Sequence, residues 1–446
     1  MSGWLLDHLP VLPVLLPVAT AIALLLLGDH GGGSHGHRRL LQARRIALVS
    51  AVLGLLLALL LLRQADTGVL AVYRLGGWPA PFGIVLVVDR LSALMLLLTS
   101  LVALPVLLYA SGGWDAHGRY FHALFQFQLM GLNGAFVTGD LFNLFVFFEV
   151  LLVASYVLML HGGGAERLRI GLHYVVLNLV ASALFLVGVA LVYGLTGTLN
   201  LADLASRVPQ VQGPDAAVLR AAALLLLVVF GFKAALAPLS LWLPATYAAA
   251  SPPAAALFAI MTKVGVYAIW RLHGVVFGDV AGADPGTTAA LAVQPWLLPL
   301  ALAGSVLGML GALAAHSLQR LVAWLTVSSV GTILAGVGLF GAAAWSAALY
   351  YLINSTLVIA ALFLLAELVS AQRGEVGGRL QPASAVAQPI LLGLLLLLAA
   401  ASSAGLPPLP GFIGKVMLLQ AAWGHAQAGL VWSVVLVVGF CTLLGL

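Results

Sequence analysis

Long apolar runs separated by short polar connectors make up almost the whole chain. A membrane-spanning helix needs about 20 mostly apolar residues, and this rule predicts about thirteen spanning helices. They lie near residues 9–28, 46–62, 84–110, 121–139, 142–160, 172–194, 217–245, 253–272, 295–316, 320–341, 343–369, 389–423 and 430–446. The connectors are too short to fold as separate soluble domains; the longest are residues 29–45, 63–83, 196–216, 273–294 and 370–388. The pattern therefore predicts an all-α polytopic membrane protein.

Prolines interrupt two of the predicted helices. The first helix breaks around Pro238 and Pro244, and the second around Pro407, Pro408 and Pro410. Proline removes a backbone donor and blocks the carbonyl one turn earlier, so other groups must satisfy the freed backbone atoms at membrane depth. We expect polar, hydrated backbone at both breaks.

The two interrupted helices also align with each other. The segment "LAPL" at 236–239 matches "LPPL" at 406–409, 170 residues further on. Five predicted spans separate the two segments, an odd number, so the broken helices cross the bilayer in opposite senses. This predicts two inverted five-helix repeats, helices 4–8 over 121–273 and helices 9–13 over 295–446, preceded by three helices in 1–120.

Composition supports a membrane protein and excludes several other classes. Hydrophobic residues make up 63% of the chain and charged residues only 7%, whereas average protein composition is about 25% charged. The single cysteine, Cys441, excludes an intramolecular disulfide framework and a cysteine-rich metal site. The net charge of +5 comes from scattered arginines, which favour acidic lipid headgroups over nucleic acid as partners. The last helix reaches Leu446 without a polar tail, so we expect the natural helix to continue.

The arginines also predict orientation. They are concentrated in the connectors after odd-numbered spans, which places those connectors in the cytoplasm of a protein of the cell inner (plasma) membrane. One connector, "DHGGGSHGHRR" at 29–39, contains several histidines, but its glycines favour a flexible loop over a metal site. The chain has no phosphate-binding loop, paired-cysteine site or nucleophile elbow, so we expect no metal, no cofactor and no enzymatic activity.

Four ionisable residues lie inside predicted spans: Glu149, Lys233, Lys263 and Lys415. Such groups cost at least about 2.5–3.5 kcal/mol each on insertion scales, so they face a polar interior or a partner. The three lysines are the only ones in the chain, and a buried lysine can release its proton whereas an arginine cannot. The four residues are therefore candidates for a proton relay. The alternatives are structural ion pairs or, for Lys415, a side chain that reaches the membrane surface.

Polar residues on or beside the same helices are candidates for supporting the relay. Membrane helices also use Ser, Thr and Asn simply to hydrogen-bond their neighbours, so lining a water path and holding helices together both stay open. The candidates are Asp140, Asn178, Ser182, Tyr247, Thr262, Ser328 and Asn354.

Four segments carry a specific pattern: "GDLFNLFVFFEVLLVASYVLM" (139–159), "FGFKAALAPLSLWLPATY" (230–247), "SPPAAALFAIMTKVGVYAIWR" (251–271) and "GLPPLPGFIGK" (405–415). Together they resemble the antiporter-like subunits shared by respiratory complex I and the Mrp-type multisubunit cation/proton antiporters. Two further segments, 76–95 and 353–369, look more like the D subunit of Mrp or Pha systems than like a complex I subunit.

The resemblance implies a fold of about fourteen helices with two inverted five-helix repeats. It also implies that Glu149, Lys233, Lys263 and Lys415 match the family's proton path on helices five, seven, eight and twelve. The implied function is proton translocation in a multisubunit Na⁺(K⁺)/H⁺ antiporter, with the other subunits, protons, monovalent cations and the lipid bilayer as partners. The alternatives are a proton-pumping subunit of complex I (NADH-quinone oxidoreductase) or of a membrane-bound hydrogenase, and a scaffold whose buried charges only hold helices together.

Two departures from the family pattern affect the relay. Many relatives carry a histidine after "WLP", where this chain has Ala245, Thr246 and Tyr247. Many also carry a histidine or lysine in the eleventh helix, where this chain reads "YLINSTLVIAAL" at 351–362. We therefore expect the relay to cross that region on waters and hydroxyl groups, or to take another route.

Overall fold

The computed structural model describes residues 7–28, 34–278 and 288–445, and these form sixteen α-helices and two short strands. The strands are β1 (Ala71–Arg74) and β2 (Val85–Val88). The helices are α1 (Leu12–Leu27), α2 (Ser34–Asp66), α3 (Arg90–Ala110), α4 (Phe121–Val137), α5 (Leu141–Met159), α6 (Ala165–Thr196), α7 (Leu201–Arg207), α8 (Pro214–Ala234), α9 (Trp242–Ala249), α10 (Pro252–Arg271), α11 (Gln294–Leu313), α12 (Leu318–Gly338), α13 (Ala342–Ala371), α14 (Pro389–Ala404), α15 (Pro410–Ala422) and α16 (Ala428–Gly445).

Eleven of the described helices are long and apolar enough to cross a membrane. The described part of the chain therefore has the fold of a polytopic helical membrane protein, as predicted. Three helices that lie within predicted spans are shorter: α4 with 17 residues, α14 with 16 and α15 with 13. The number of spans stays a prediction.

A β-hairpin stands where the sequence predicts a connector and the start of a helix. Strands β1 and β2 pair antiparallel, from Ala71 opposite Val88 to Arg74 opposite Val85. The prediction of a helix from residue 84 is wrong at its start, because the valine-rich run 85–88 favours a strand as much as a membrane span. Helix α3 begins at Arg90, after Asp89 accepts a hydrogen bond from the Ser92 backbone N–H at 2.9 Å.

Several helices extend further into the connectors than predicted. Helix α2 starts at Ser34, so the expected flexible loop at 29–39 is helical from residue 34 onward, and residues 29–33 lie outside the described part. Helix α6 likewise spans 32 residues, from Ala165 to Thr196. Arg, Gln and Glu have high helix propensity, so polar residues beyond the apolar run continue the helix.

Both proline-containing runs fold as two helices separated by a gap. Pro238 lies in the gap between α8 and α9, and Pro407 and Pro408 lie in the gap between α14 and α15. The prediction that Pro244 and Pro410 lie within the breaks is wrong. Both lie in the first turn of the following helix, where a missing N–H leaves no hydrogen bond unmade.

The chain forms two compact units. The first contains residues 1–229 and 271–292, and the second contains residues 230–270 and 293–446. The inverted repeats and the three-part division of the chain stay predictions.

A proline inside α1 shows how the first unit satisfies its backbone. Pro17 has no N–H to donate to the Pro13 carbonyl four residues earlier. The side-chain amide of Asn133 in α4 donates to that carbonyl at 2.9 Å. The break in the backbone ladder of α1 therefore becomes a contact between α1 and α4.

Two aspartates outside the spans fasten helix ends in the first unit. Asp115 accepts two hydrogen bonds from Arg44, at 2.7 and 2.8 Å, and one from His122 at 2.9 Å. Burial alone raises the pKa of Asp115, but the bonds from Arg44 and His122 outweigh it and lower the pKa to about 2. Asp89 binds Arg271 at 2.5 and 2.6 Å. Its pKa is also lowered, because these bonds outweigh the effect of burial.

Candidate functional site

Glu149 lies at the middle of α5 and is half-buried. The hydroxyl of Ser182 in α6 donates a hydrogen bond to Glu149 Oε1. Asn178, one turn before Ser182, instead donates to the Tyr174 carbonyl of its own helix at 2.9 Å. The structure therefore brings Ser182 to Glu149 and uses the Asn178 side-chain amide within α6.

Asp140 has a structural role at the start of α5. Its carboxylate accepts a hydrogen bond from the Asn143 backbone N–H at 2.8 Å and caps the helix. Burial raises the pKa of Asp140 even though backbone hydrogen bonds oppose this. The helical rise separates Asp140 and Glu149 by about 13.5 Å along the axis, so the two carboxylates do not share one site.

Lys233 lies in the last turn of α8, directly before the first gap, and only 6% of it is exposed. The neighbouring Phe232 carbonyl accepts from the Trp242 indole N–H and from the Ala235 backbone N–H, both at 3.1 Å. The Gly231 carbonyl accepts from the Leu236 N–H at 2.7 Å. These carbonyls at the end of α8 are thus satisfied by neutral donors.

Lys263 is completely buried in α10. Its ammonium donates to the Thr262 hydroxyl at 3.3 Å, and within the described chain no carboxylate lies at ion-pair distance from it. Helix α10 packs closely on the end of α8, because a Cβ added to Gly265 would lie 2.5 Å from the Ala234 nitrogen. A buried charge with one weak hydroxyl contact costs folding free energy. Such a residue inside a membrane helix is therefore a functional candidate.

Lys415 lies in α15, after the second gap, and is 8% exposed. Its ammonium reaches back across the gap and donates to the Ala404 carbonyl at 2.7 Å and the Ser403 carbonyl at 3.2 Å. The last carbonyls of a helix have no partner inside the helix and carry the negative end of its dipole. Lys415 therefore caps α14. The alternative that Lys415 reaches for the membrane surface does not fit this contact, because both acceptors are main-chain oxygens beside the gap.

The second gap also contains a polar contact with α13. Asn354 Oδ1 accepts from the Ser402 hydroxyl at 3.0 Å, while Asn354 Nδ2 is buried and has no partner among the described residues. Gly411 approaches so closely that an added Cβ would lie 1.8 Å from the Ser402 carbonyl oxygen. Sequence reasoning singled out Asn354 but missed Ser402 and Gly411, whose only signal is that small residues flank the prolines.

Two other predicted supporting residues connect helices through the main chain. The Tyr247 hydroxyl donates to the Phe258 carbonyl at 2.9 Å, which joins α9 to α10. The Ser328 hydroxyl in α12 donates to the Ser305 carbonyl in α11 at 3.0 Å. For both, the geometry favours the interpretation that they hold neighbouring helices together.

Sequence reasoning also missed the buried histidine His273. His273 is 1% exposed, and neither of its ring nitrogens has a partner within the described residues. It lies in the π-helical turn 272–276 after α10, and such turns are frequent at functional sites. The available signal was a histidine at the end of an apolar run. The described residues contain no group of three or more His, Cys, Asp or Glu side chains placed to hold a metal ion.

Residues 138–443 match the family model described as NADH:quinone oxidoreductase/Mrp antiporter, transmembrane. The chain is 45% identical to a protein of Rhizobium meliloti described as the D subunit of a probable K⁺/H⁺ antiporter, over 96% of this chain and 81% of that protein. Its structure is similar to a chain of the Mrp complex from Dietzia sp., with a TM-score of 0.86 and 32% identity, over 100% of this chain and 79% of the other.

A more distant similarity extends to respiratory complex I. A chain of the complex from Thermus thermophilus with bound NADH matches with a TM-score of 0.79 and 27% identity, over 98% of this chain and 87% of that one. The family match contains Glu149, the three buried lysines and both helix breaks. The chain therefore belongs to the NADH:quinone oxidoreductase/Mrp antiporter family of membrane proteins.

Proposed function

We propose that this chain is the proton-translocating D-type subunit of a multisubunit Na⁺/H⁺ or K⁺/H⁺ antiporter in the bacterial plasma membrane. The observation that carries the proposal is that its only three lysines, Lys233, Lys263 and Lys415, are all more than nine-tenths buried. The names of its relatives support the reaction, since they are described as D subunits of K⁺/H⁺ and Na⁺/H⁺ antiporters.

Lys263 is the residue best suited to exchange a proton. It is completely buried and its ammonium has one hydroxyl contact, so few interactions must be broken when the proton leaves. A lysine amine can release and take up a proton, whereas an arginine guanidinium stays protonated. In the proposed cycle Lys263 gives its proton to a water and recovers one from the preceding relay member.

Glu149 forms a hydrogen bond that survives a change of protonation. Ser182 donates to the carboxylate when Glu149 is charged. When Glu149 is protonated, the serine hydroxyl can rotate and accept instead, because a hydroxyl is both donor and acceptor. Glu149 can thus gain and lose a proton without leaving a buried polar atom unpaired, which is what a relay member requires.

Neutral polar groups support the passage of protons along the helices that lack a charged residue. Asn354 has an unpartnered amide beside the second gap. Ser305, Ser328 and Thr332 form a hydroxyl cluster between α11 and α12, with the Ser305 and Thr332 oxygens 3.3 Å apart. We propose that waters on these groups connect Lys415 with the rest of the relay.

The experiment that tests the relay is cation-dependent proton flux in everted membrane vesicles containing the full complex. The variants are Lys263→Arg, Lys263→Ala and Glu149→Gln, with the exposed Arg169→Lys as matched control. Complex assembly is first measured by co-purification. We expect normal assembly and a loss of flux of about tenfold or more, in line with the roughly 10²–10⁴-fold value of positioned proton transfer. Full flux with Lys263→Arg would contradict proton exchange at this lysine, and failure of Lys263→Ala to assemble would favour the scaffold interpretation.

A second candidate is a proton-pumping subunit of a redox complex, favoured by the structural similarity to complex I. The same purification distinguishes the two. Small antiporter subunits in the purified complex support the first function, while flavin or iron–sulfur subunits support the second.

A further inference from the structure

A small cavity lies inside the first unit, between α1, α2, α3 and α4. Its volume is about 30 Å³. A water molecule needs roughly 10–15 Å³ of such space, so the cavity has room for one or two waters. It is far too small for an acyl chain or an organic ligand, whose sites measure roughly 300–1,000 Å³.

Asn133 in α4 brings an unpaired acceptor to this cavity. Its side-chain nitrogen donates to the Pro13 carbonyl at 2.9 Å. Since a carbonyl only accepts, this contact fixes which atom of the amide is the nitrogen. The other atom, Oδ1, is buried and has no partner among the described residues. A buried acceptor without a donor costs folding free energy, so a donor is expected beside it.

Three hydroxyl groups on residues that line the cavity can also accept. Thr99 and Ser100 in α3 each donate to the carbonyl four residues earlier, at 2.8 and 3.0 Å. Ser50 in α2 donates to Gln126 Oε1 at 3.3 Å. Each hydroxyl thus uses its only hydrogen, while its oxygen keeps a lone pair for another donor.

Gln126 in α4 supplies a hydrogen to the same cavity. It is completely buried, and its Nε2 donates to the Ala47 carbonyl at 3.3 Å. This bond uses one of the two amide hydrogens and leaves the other for a further acceptor. None of the residues that line the cavity in the described chain is charged. The lining therefore offers several acceptors, one donor and no charge.

We propose that one or two water molecules occupy this cavity and connect α4 with α2 and α3. They donate to Asn133 Oδ1 and to the hydroxyl oxygens, and they accept from the Gln126 amide. Water combines two hydrogens with two lone pairs, which suits this lining. An anion has no hydrogen to donate, and a sodium or potassium ion would lose its hydration without a carboxylate to compensate.

The bound water also supports the contact between α1 and α4. With its Oδ1 satisfied, Asn133 can hold the Pro13 carbonyl, which Pro17 leaves without a main-chain donor. The site shares no residue with the proposed relay and does not depend on it.

The test is X-ray footprinting of the purified complex. Irradiation splits water into hydroxyl radicals, which oxidise the side chains beside the water, and mass spectrometry measures the oxidation of each residue. Leu96 in α3 and Leu129 in α4 line the cavity and are 2% and 7% exposed. Leu98 and Leu132, on the same two helices, are 2% and 0% exposed and lie outside the cavity. We expect the cavity pair to be oxidised several-fold faster than the matched pair. Equal rates for the two pairs would overturn the proposal.

Filling the cavity gives a second measurement. Gly54 in α2 lines the cavity, and a Cβ added there meets no atom within 4 Å. Gly54→Val therefore displaces the water, and the oxidation of Leu96 and Leu129 falls several-fold. The control is Gly194→Val, at an exposed glycine of α6 whose added Cβ also meets no atom within 4 Å. It keeps the wild-type oxidation, and unchanged oxidation in Gly54→Val would contradict bound water at this position.

The choice of salt distinguishes water from a monovalent cation. Footprinting of the wild-type complex is repeated in sodium, potassium and choline chloride. We expect the same oxidation of Leu96 and Leu129 in all three salts. A several-fold change when choline replaces the metal ions would overturn the proposal, because the cavity would then bind a cation.

Discussion

The two helix gaps of the second unit solve the same backbone problem with different chemistry. At the first gap, the Phe232 carbonyl at the end of α8 is capped by the Trp242 indole and by backbone N–H groups. At the second gap, the carbonyls at the end of α14 are capped by the Lys415 ammonium. The second break is therefore stabilised by a charge, and the first by neutral donors.

The 170-residue offset between the proline segments gives each residue at one gap a counterpart at the other. Lys415 corresponds to Ala245, and Lys233 corresponds to Ser403. The lysine thus lies before the first gap and after the second gap. The lysine after the second gap reaches back to the carbonyls of α14, whereas the Phe232 and Gly231 carbonyls at the first gap accept from neutral donors. We infer that Lys415 combines capping with proton transfer.

The largest expected loss of stability follows from a substitution of Gly411. Gly411→Ala would place a Cβ 1.8 Å from the Ser402 carbonyl, a main-chain atom that cannot move without moving α14. We expect a loss of about 3 kcal/mol or more of stability, at or above the upper end of overpacking costs, measured as thermal unfolding of the purified complex. The corresponding position at the first gap is Leu241, which is exposed, so the first gap does not need glycine there.

Gly231→Ala is the control at the first gap. Its added Cβ would meet the Leu236 side chain at 3.4 Å, an ordinary contact. We expect near wild-type unfolding, because the better helix propensity of alanine offsets small adjustments. A larger loss from Gly231→Ala than from Gly411→Ala would contradict the idea that the second gap is the more tightly packed.

The next largest effect on stability distinguishes the capping role of Lys415 from the burial of a charge at Lys263. Lys415→Met keeps the length of the side chain but leaves the Ala404 and Ser403 carbonyls without their donor, at a cost of about 1.5–3 kcal/mol for hydrogen bonds to a charged group. Lys263→Met loses a single contact of 3.3 Å and removes a buried charge, so we expect no loss of stability. Both variants lose proton flux in vesicles. Equal unfolding temperatures for the two variants would show that Lys415 does not cap α14.

The sequence predicted the features that local patterns encode. Proline positions located both gaps, and lysines within apolar runs identified Lys233, Lys263 and Lys415 as buried groups. The hairpin at 71–88 was missed because its second strand is as apolar as the span that follows, so hydrophobicity does not distinguish them. The same limit hid the full length of α2, since its polar first turns look like a connector.

The contacts at the candidate site depend on distant segments and could not be predicted. Ser402 and Asn354 are 48 residues apart in the chain, and Ser182 and Glu149 are 33 apart. A single sequence gives the residue types suitable for these contacts but not their pairing. Ser328 shows the same limit. Its position in α12 does not reveal that its hydroxyl donates to the Ser305 carbonyl of α11.

A smaller effect is expected for the amide contact that only the second gap has. Ser402→Ala leaves Asn354 Oδ1 buried and unpaired, at a cost of about 1–3 kcal/mol. The double variant Ser402→Ala/Asn354→Leu removes both polar partners, so we expect most of the lost stability to return. At the first gap, Phe232 occupies the position of Ser402, so an apolar residue is compatible with a gap of this kind. A double variant less stable than Ser402→Ala alone would contradict this, and thermal unfolding measures both.

The smallest effect concerns the residue that opens each gap. Ala235 and Gly405 occupy corresponding positions, and both have positive φ, 62° and 86°. The left-handed conformation costs a residue with a Cβ roughly 1–2 kcal/mol, which glycine avoids. Glycine also loses about 0.5–1 kcal/mol through its greater freedom in the unfolded chain. Ala235→Gly is therefore expected to raise the free energy of unfolding by between about 0 and 1.5 kcal/mol. The reverse exchange, Gly405→Ala, adds both the conformational cost and a contact of 2.9 Å with the Lys415 side chain, so it must be the more harmful. Equal and small effects from the two exchanges would show that Lys415 moves freely at its gap, and the capping role would then be lost.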